Sequence, residues 1–167
     1  MLISRSYVPL PGCFKYKEIK YLMNYIKFQK RDAWILLTIP LNNEGTDLQG
    51  VIGRADAINK LIPSDEEIEG AIDRFLKTGI IKYENNHFII MKEYIQIIKD
   101  IYDKHKMIYD VWDKLEFFLM NKEWPLINTD LNFKLGKDES KIAYQNYSKW
   151  FWKTFKEISN KDKKKKD

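Results

Sequence analysis

The chain has 167 residues, 44% of them hydrophobic, with 29 Lys+Arg against 24 Asp+Glu for a formal charge of +5. This length and composition predict one domain, or one with an appendage, and exclude wholesale disorder. The single cysteine, Cys13, excludes an intramolecular disulfide framework and a cysteine-rich zinc site, and no apolar run approaches the ~20 residues of a membrane span.

The charge is unevenly placed. Residues 1–32 carry seven bases and two acids, and residues 153–167 carry seven lysines and three acids. The 120 residues between them hold 15 bases and 19 acids, so a −4 body lies between a +5 and a +4 end. A lone thiol fits a reducing compartment, and residues 1–18 lack the continuous apolar stretch of a leader, so a cytoplasmic location is expected.

In chain order, Pro9, Pro11 and Gly12 predict an extended or turning lead-in. From Tyr16 to Phe28, Ile19, Leu22, Met23 and Ile26 keep the i, i+3, i+4, i+7 spacing of a helix face, with lysines between them. Asp32 to Leu41 is an apolar run of helical length with Asp32 as its expected N-cap, and Pro40 is expected to end or kink it near Ile39. After a loop at 42–45, Thr46 or Asp47 caps a helix to Asn59 whose face is Leu48, Val51, Ile52, Ala55 and Ile58. Gly50 and Gly53 inside it suit the close approach of another helix.

Ser64 and Glu67 form a capping box, Ile68, Ala71, Ile72, Phe75 and Leu76 form a buried stripe, and Gly79 stands where a left-handed C′ residue is wanted. Two β-prone runs, 80–83 and 87–91, flank Asn85-Asn86 and predict a hairpin. Residues 93–122 contain no Gly or Pro and predict one long helix, or two joined near His105 to Met107. Trp124-Pro125 ends this stretch, residues 126–138 read as irregular, and residues 139–158 form a final aromatic helix before a lysine-rich tail, 159–167.

The order helix 32–41, helix 47–59, helix 65–78, hairpin 80–91 is that of a winged helix. Asp32-Ala33-Trp34, Leu36-Leu37, Ala55 to Asn59, Ile62-Pro63, Glu67, Leu76 and Gly79-Ile80-Ile81 carry a resemblance. The segment resembles the winged helix-turn-helix unit of short, mostly uncharacterised bacterial proteins, over about residues 32–91. The expected fold class is therefore mainly α: a winged helix-turn-helix core of three helices plus a β-hairpin wing, with an N-terminal helix and a helical C-terminal extension. The expected divisions are 1–31, 32–91, 92–158 and 159–167. The resemblance implies either duplex DNA binding, with the third helix in the major groove, or a protein-interaction role.

A groove-reading helix offers Arg, Lys, Asn or Gln to base edges. The segment from Ser64 to Thr78 instead holds Asp65, Glu66, Glu67, Glu69 and Asp73 against Arg74 and Lys77. Candidate nucleic-acid contacts are Lys15, Lys17, Lys20, Lys27, Lys30, Arg31, Arg74, Lys77 and Lys82. Candidate dimer or packing residues are Ile98, Ile101, Trp112, Leu115, Trp150 and Phe151. Tyr147, Trp150, Phe151 and Phe155 recur at helical spacing and are assigned to packing, whereas Trp152 falls off that stripe and is expected to be exposed.

Neither His87 nor His105 has a second ligand at metal spacing, Cys13 has no neighbouring base, and no phosphate-binding or nucleophile motif occurs. The sequence thus predicts no enzyme, no cofactor, no metal and no membrane partner. Its leading expectation is a small DNA-binding or regulatory winged-helix protein. The alternative is a winged-helix interaction or assembly module that does not read DNA; the partner is duplex DNA, a second copy in a homodimer, or another protein.

Overall fold

The computed structural model describes residues 25–127 and 130–163, which form six helices and two small antiparallel sheets. Helix α1, Asp32–Leu37, is buried at all six residues. A helix apolar around its whole circumference can only be core. Its one polar residue, Asp32, is not the N-cap expected from sequence, because Arg31 holds that position. The Asp32 carboxylate instead accepts from the Gln29 amide at 2.6 Å and from Arg74 Nε and Nη2 at 2.7 and 2.5 Å. Its side chain is 2% exposed, so the two-pronged guanidinium replaces the water that burial removes. Two residues before Pro40, Thr38 closes the helix, and its carbonyl accepts from Arg54 Nη1 at 3.0 Å.

Helix α2, Leu48–Asn59, starts where Asp47 accepts from the Gly50 amide at 2.8 Å and stops at Lys60 in the left-handed region. Helix α3, Asp65–Lys77, has both halves of its capping box and buries Ile68, Ala71, Ile72, Phe75 and Leu76. At its end Gly79 takes φ +69, with Ile80 N–H donating to the Phe75 carbonyl at 3.0 Å and Gly79 N–H to that of Leu76 at 3.2 Å. This paired closure needs a left-handed residue and explains the glycine.

Strands β2, Ile81–Glu84, and β3, His87–Ile90, make the hairpin, with Asn85 and Asn86 both at positive φ as a two-residue turn of the favoured twist requires. Thr46 pairs with the outer edge of β3 through reciprocal bonds to Phe88 of 3.0 and 2.8 Å.

The 93–122 stretch is two helices, α4, Lys92–Lys104, and α5, Ile108–Met120. Ile98 and Leu115 are core residues at 2% and 0% exposure, so neither is open to a second copy. Trp112 stacks nearly parallel on Trp34 of α1 at 6.0 Å, and Ile101 packs at the edge of the core.

The N-terminal helix expected through Phe28 does not reach that far. Tyr25–Ile26 is a strand, β1, paired with β4, Trp124–Pro125. Apolar packing sets this outcome: Phe28 is buried, stacked on Phe75 at 5.2 Å and meeting the Trp124 ring edge-on at 5.5 Å. The rest of that predicted helix, with Lys15, Lys17 and Lys20, lies outside the described residues. One core runs from Phe28 to Ala143, so it spans the expected divisions at 31/32 and 91/92.

The last helix, α6, Glu139–Lys163, extends beyond its expected end at 158. It lies against α2 with the Tyr147 ring over Gly53, where a Cβ would stand 2.8 Å from the ring. The close helix approach expected at that glycine is therefore present.

Asp32→Ala leaves the Arg74 guanidinium without its buried counter-ion and is expected to cost about 3–5 kcal/mol in urea unfolding. Replacing both partners, Asp32→Leu with Arg74→Met, should recover most of that loss.

Candidate functional site

The side of α3 away from the core carries Glu69 and Asp73, one turn apart. Both carboxylates are occupied by the chain's own connector, residues 126–138. Glu69 accepts from the Leu135 amide at 2.9 Å and from Lys134 Nζ at 2.7 Å. Asp73 accepts from the Phe133 amide at 3.1 Å and from Lys77 Nζ at 2.8 Å. The Ile127 amide donates to the Lys77 carbonyl at 2.8 Å, so the connector runs back along α3 from its C-terminal end.

Phe133 then inserts between helix and hairpin, edge-on to Tyr83 at 5.9 Å and to Phe88 at 5.6 Å. A cavity of about 510 Å³ lies between Leu76, Tyr83, Leu131 and Phe133. The Lys134 hydrogen bond, followed by that of the Leu135 amide, holds the Glu69 carboxyl below the usual glutamate range. The same bond raises Lys134 above the usual lysine value.

Among the described residues, most of the basic candidates are taken up by the chain's own carboxylates. Arg74 points inward to Asp32 and is withdrawn from any external partner. Lys77 is held by Asp73, Lys82 by Glu84 and Arg31 by Glu67, while Lys30 lies 3.8 Å from Glu116. Lys27 is exposed in the segment leading to α1. Cations paired in this way have much of their field cancelled before a phosphate approaches. His87 Nδ1 sits 2.9 Å from the Asn85 carbonyl within the hairpin turn. Among the described residues no group of three His, Cys, Asp or Glu is placed to hold a metal, and no helix is long and apolar enough to cross a membrane.

The aromatic residues of α6 depart from their expected packing. Tyr147 packs as expected, and its hydroxyl donates to Asp56 Oδ2 at 2.8 Å. Trp150, Phe151 and Phe155 are 42–56% exposed, alongside the Trp152 expected there. Tyr147 meets Gly53 and Asp56, whereas Trp150 and Phe151 border an open cavity against Asp47, Gly50, Arg54 and Ala57. A cavity of about 470 Å³ remains between Gly50, Gly53, Ala57, Tyr147, Trp150 and Phe151.

Glu69 and Asp73 carry no local signature of an anchoring role, because the amides they bind lie 66 and 60 residues further along. No family model matches the chain, and no curated protein or solved structure is significantly similar to it.

Two titrations follow from these contacts. A carboxyl with a lowered folded pKa stabilises its contact above the unfolded value and loses that contribution as pH falls through the folded one. The Leu135 amide should thus stay protected from hydrogen exchange at neutral pH and lose protection below the ordinary glutamate range; Glu69→Ala should remove it at every pH. Burial, followed by the Asp56 hydrogen bond, pushes the Tyr147 phenol up to about 12. Its contribution is complete below the free-tyrosine value of about 10 and fades as pH rises through about 12. Burial also raises Tyr83, Tyr94 and Tyr102, so ultraviolet absorbance should show several late-ionising tyrosines, one fewer in Tyr147→Phe.

Proposed function

We propose that this chain is a non-catalytic winged-helix module that binds protein and does not read DNA through its third helix. The order α1, α2, α3, β2–β3 supports the winged-helix part. So does the single bridge of Thr46 to β3, which ties the segment ahead of α2 to the hairpin. The observation that carries the functional part is the connector on α3, held by both outward carboxylates. A groove-reading helix needs that surface open and its donors directed at base edges. Here the Glu69–Asp73 flank is covered, the exposed N-terminal end presents Asp65 and Glu66, and uncovering the flank breaks the bonds at Phe133 and Leu135 and exposes further carboxylates to phosphate.

Duplex binding through the basic ends is the competing reading, favoured by the +5 and +4 charge of residues 1–32 and 153–167. Fluorescence anisotropy with a labelled random duplex at ~50 mM salt separates the two, because phosphate contacts are strongest at low salt. The full chain is expected to show weak, sequence-independent binding that disappears on truncation after Ser159. Sequence-selective binding that survives the truncation would overturn the proposal.

A further inference from the structure

The covered flank of α3 holds its own connector in the way a groove holds an extended peptide. Residues 130–136 run back along the helix, with the Phe133 amide donating to Asp73 at 3.1 Å and the Leu135 amide to Glu69 at 2.9 Å. Alternate amides of an extended chain point the same way about 6.4–6.8 Å apart, and four residues of helix rise about 6 Å. Two carboxylates one turn apart are thus matched to alternate amides of an extended segment. Side chains are engaged as well: Phe133 meets Tyr83 and Phe88 edge-on, and Lys134 Nζ meets Glu69 at 2.7 Å.

Two observations mark this segment as an exchangeable occupant. Among its described residues Phe133 and Leu135 alone pack against the core, while Leu131 is 42% exposed and the Lys134 side chain 65%. The chain on either side is anchored without it, Trp124 against Phe28 and Tyr147 over Gly53, so these residues can leave while both neighbours stay seated. The seat is also larger than what fills it. The cavity of about 510 Å³ beside Phe133 lies between Leu76, Ile81 and Tyr83, and Leu131 borders it without filling it.

We propose that the flank of α3 and the hairpin together form the seat for an extended segment of a partner protein, carrying an aromatic residue followed by lysine or arginine and then an apolar residue, and that residues 130–136 occupy it until that partner displaces them. Charge selects a peptide: the two carboxylates accept amides and an ammonium, and repel a phosphate backbone or an anionic lipid. In such a seat main-chain hydrogen bonds supply affinity and side-chain pockets supply selectivity. A bulky aromatic residue two places before the anchoring one enters the cavity that Leu131 only borders, a contact the connector lacks. The assignment rests on the reading of the chain as a protein-binding module, and it names what the module takes.

Fluorescence anisotropy of a labelled peptide spanning Asp130 to Lys137 tests it, with the full chain as receptor. In the parent the tethered segment competes at an effective concentration of about millimolar, so the peptide should bind weakly. Phe133→Ala removes the tethered anchor, and Lys134→Glu sets a carboxylate against Glu69 at an exposed position. Each should bind the peptide about tenfold more tightly than the parent. Circular dichroism melts report whether the variants fold; if Phe133→Ala does not, Lys134→Glu carries the comparison. Leu131→Trp in the peptide should tighten binding severalfold, and Phe133→Ala in the peptide should abolish it. Adding Glu69→Ala with Asp73→Ala to either opened chain should weaken capture by about tenfold.

Equal affinity of the peptide for the parent and the opened variants would overturn the proposal. So would capture that ignores the Glu69 and Asp73 changes, or no capture by any chain at millimolar peptide. A parent that sediments as a dimer and dissociates with Phe133→Ala would give the seat to the connector of a second copy and overturn it as well. Random duplex bound by the opened variants but not by the parent would make residues 130–136 a cover over a DNA surface, and the module reading would fall with the proposal. Peptide failure without that gain overturns this assignment alone, so the two failures are distinguishable.

Discussion

The Asp32–Arg74 pair fixes the geometry on which the other contacts depend. Helix α1 has no solvent face, so its single carboxylate had to be met inside the protein, and α3 supplies the guanidinium from 42 residues away. That bond sets the rotation of α3 about its own axis. With Arg74 turned to α1 and the Ile68–Leu76 stripe to the core, Glu69 and Asp73 are left on the remaining flank. The connector then has two carboxylates to bind, and the position at which α6 begins follows from where the connector ends.

Elements whose signals are local were legible in the sequence. The capping box at Ser64 and Glu67, the Gly79 closure, the Asn85-Asn86 turn and the cap at Asp47 each depend on residues within a few positions of one another. Periodicity likewise located the core faces of α2 and α3. Arg74 was misread as an external cation because a charged residue at the edge of a helix face gives no sign of a partner in another helix. The strand at Tyr25–Ile26 was hidden for the same reason: its helical spacing of apolar residues is real, but Trp124 is available only after the chain has folded back.

The aromatic face of α6 shows the converse error. Helical spacing correctly indicated that Tyr147, Trp150, Phe151 and Phe155 lie along the helix as a stripe, and Tyr147 does pack on Gly53. Spacing carries no information about what the fold sets against the stripe. Beside α2, Trp150 and Phe151 border an open cavity, and with Phe155 they are left to solvent. A residue pattern can show that a face is apolar, but only the fold shows whether the chain itself covers it.

The two-pair ribbon of β1 and β4 joins residues about a hundred positions apart, and this bears on the kinetics of folding. Closing so long a loop has an entropic cost that grows only with the logarithm of its length, yet it must be met before any contact across it forms. Two strand pairs alone are too few to meet it. Trp124 carries that closure: it is buried at 1% exposure beneath Phe28, Tyr94 and Phe118, with its indole N–H donated to the Leu119 carbonyl at 2.8 Å. The ribbon is thus a late contact of high sequence separation, whose lifetime is set by the seating of one tryptophan more than by its backbone hydrogen bonds.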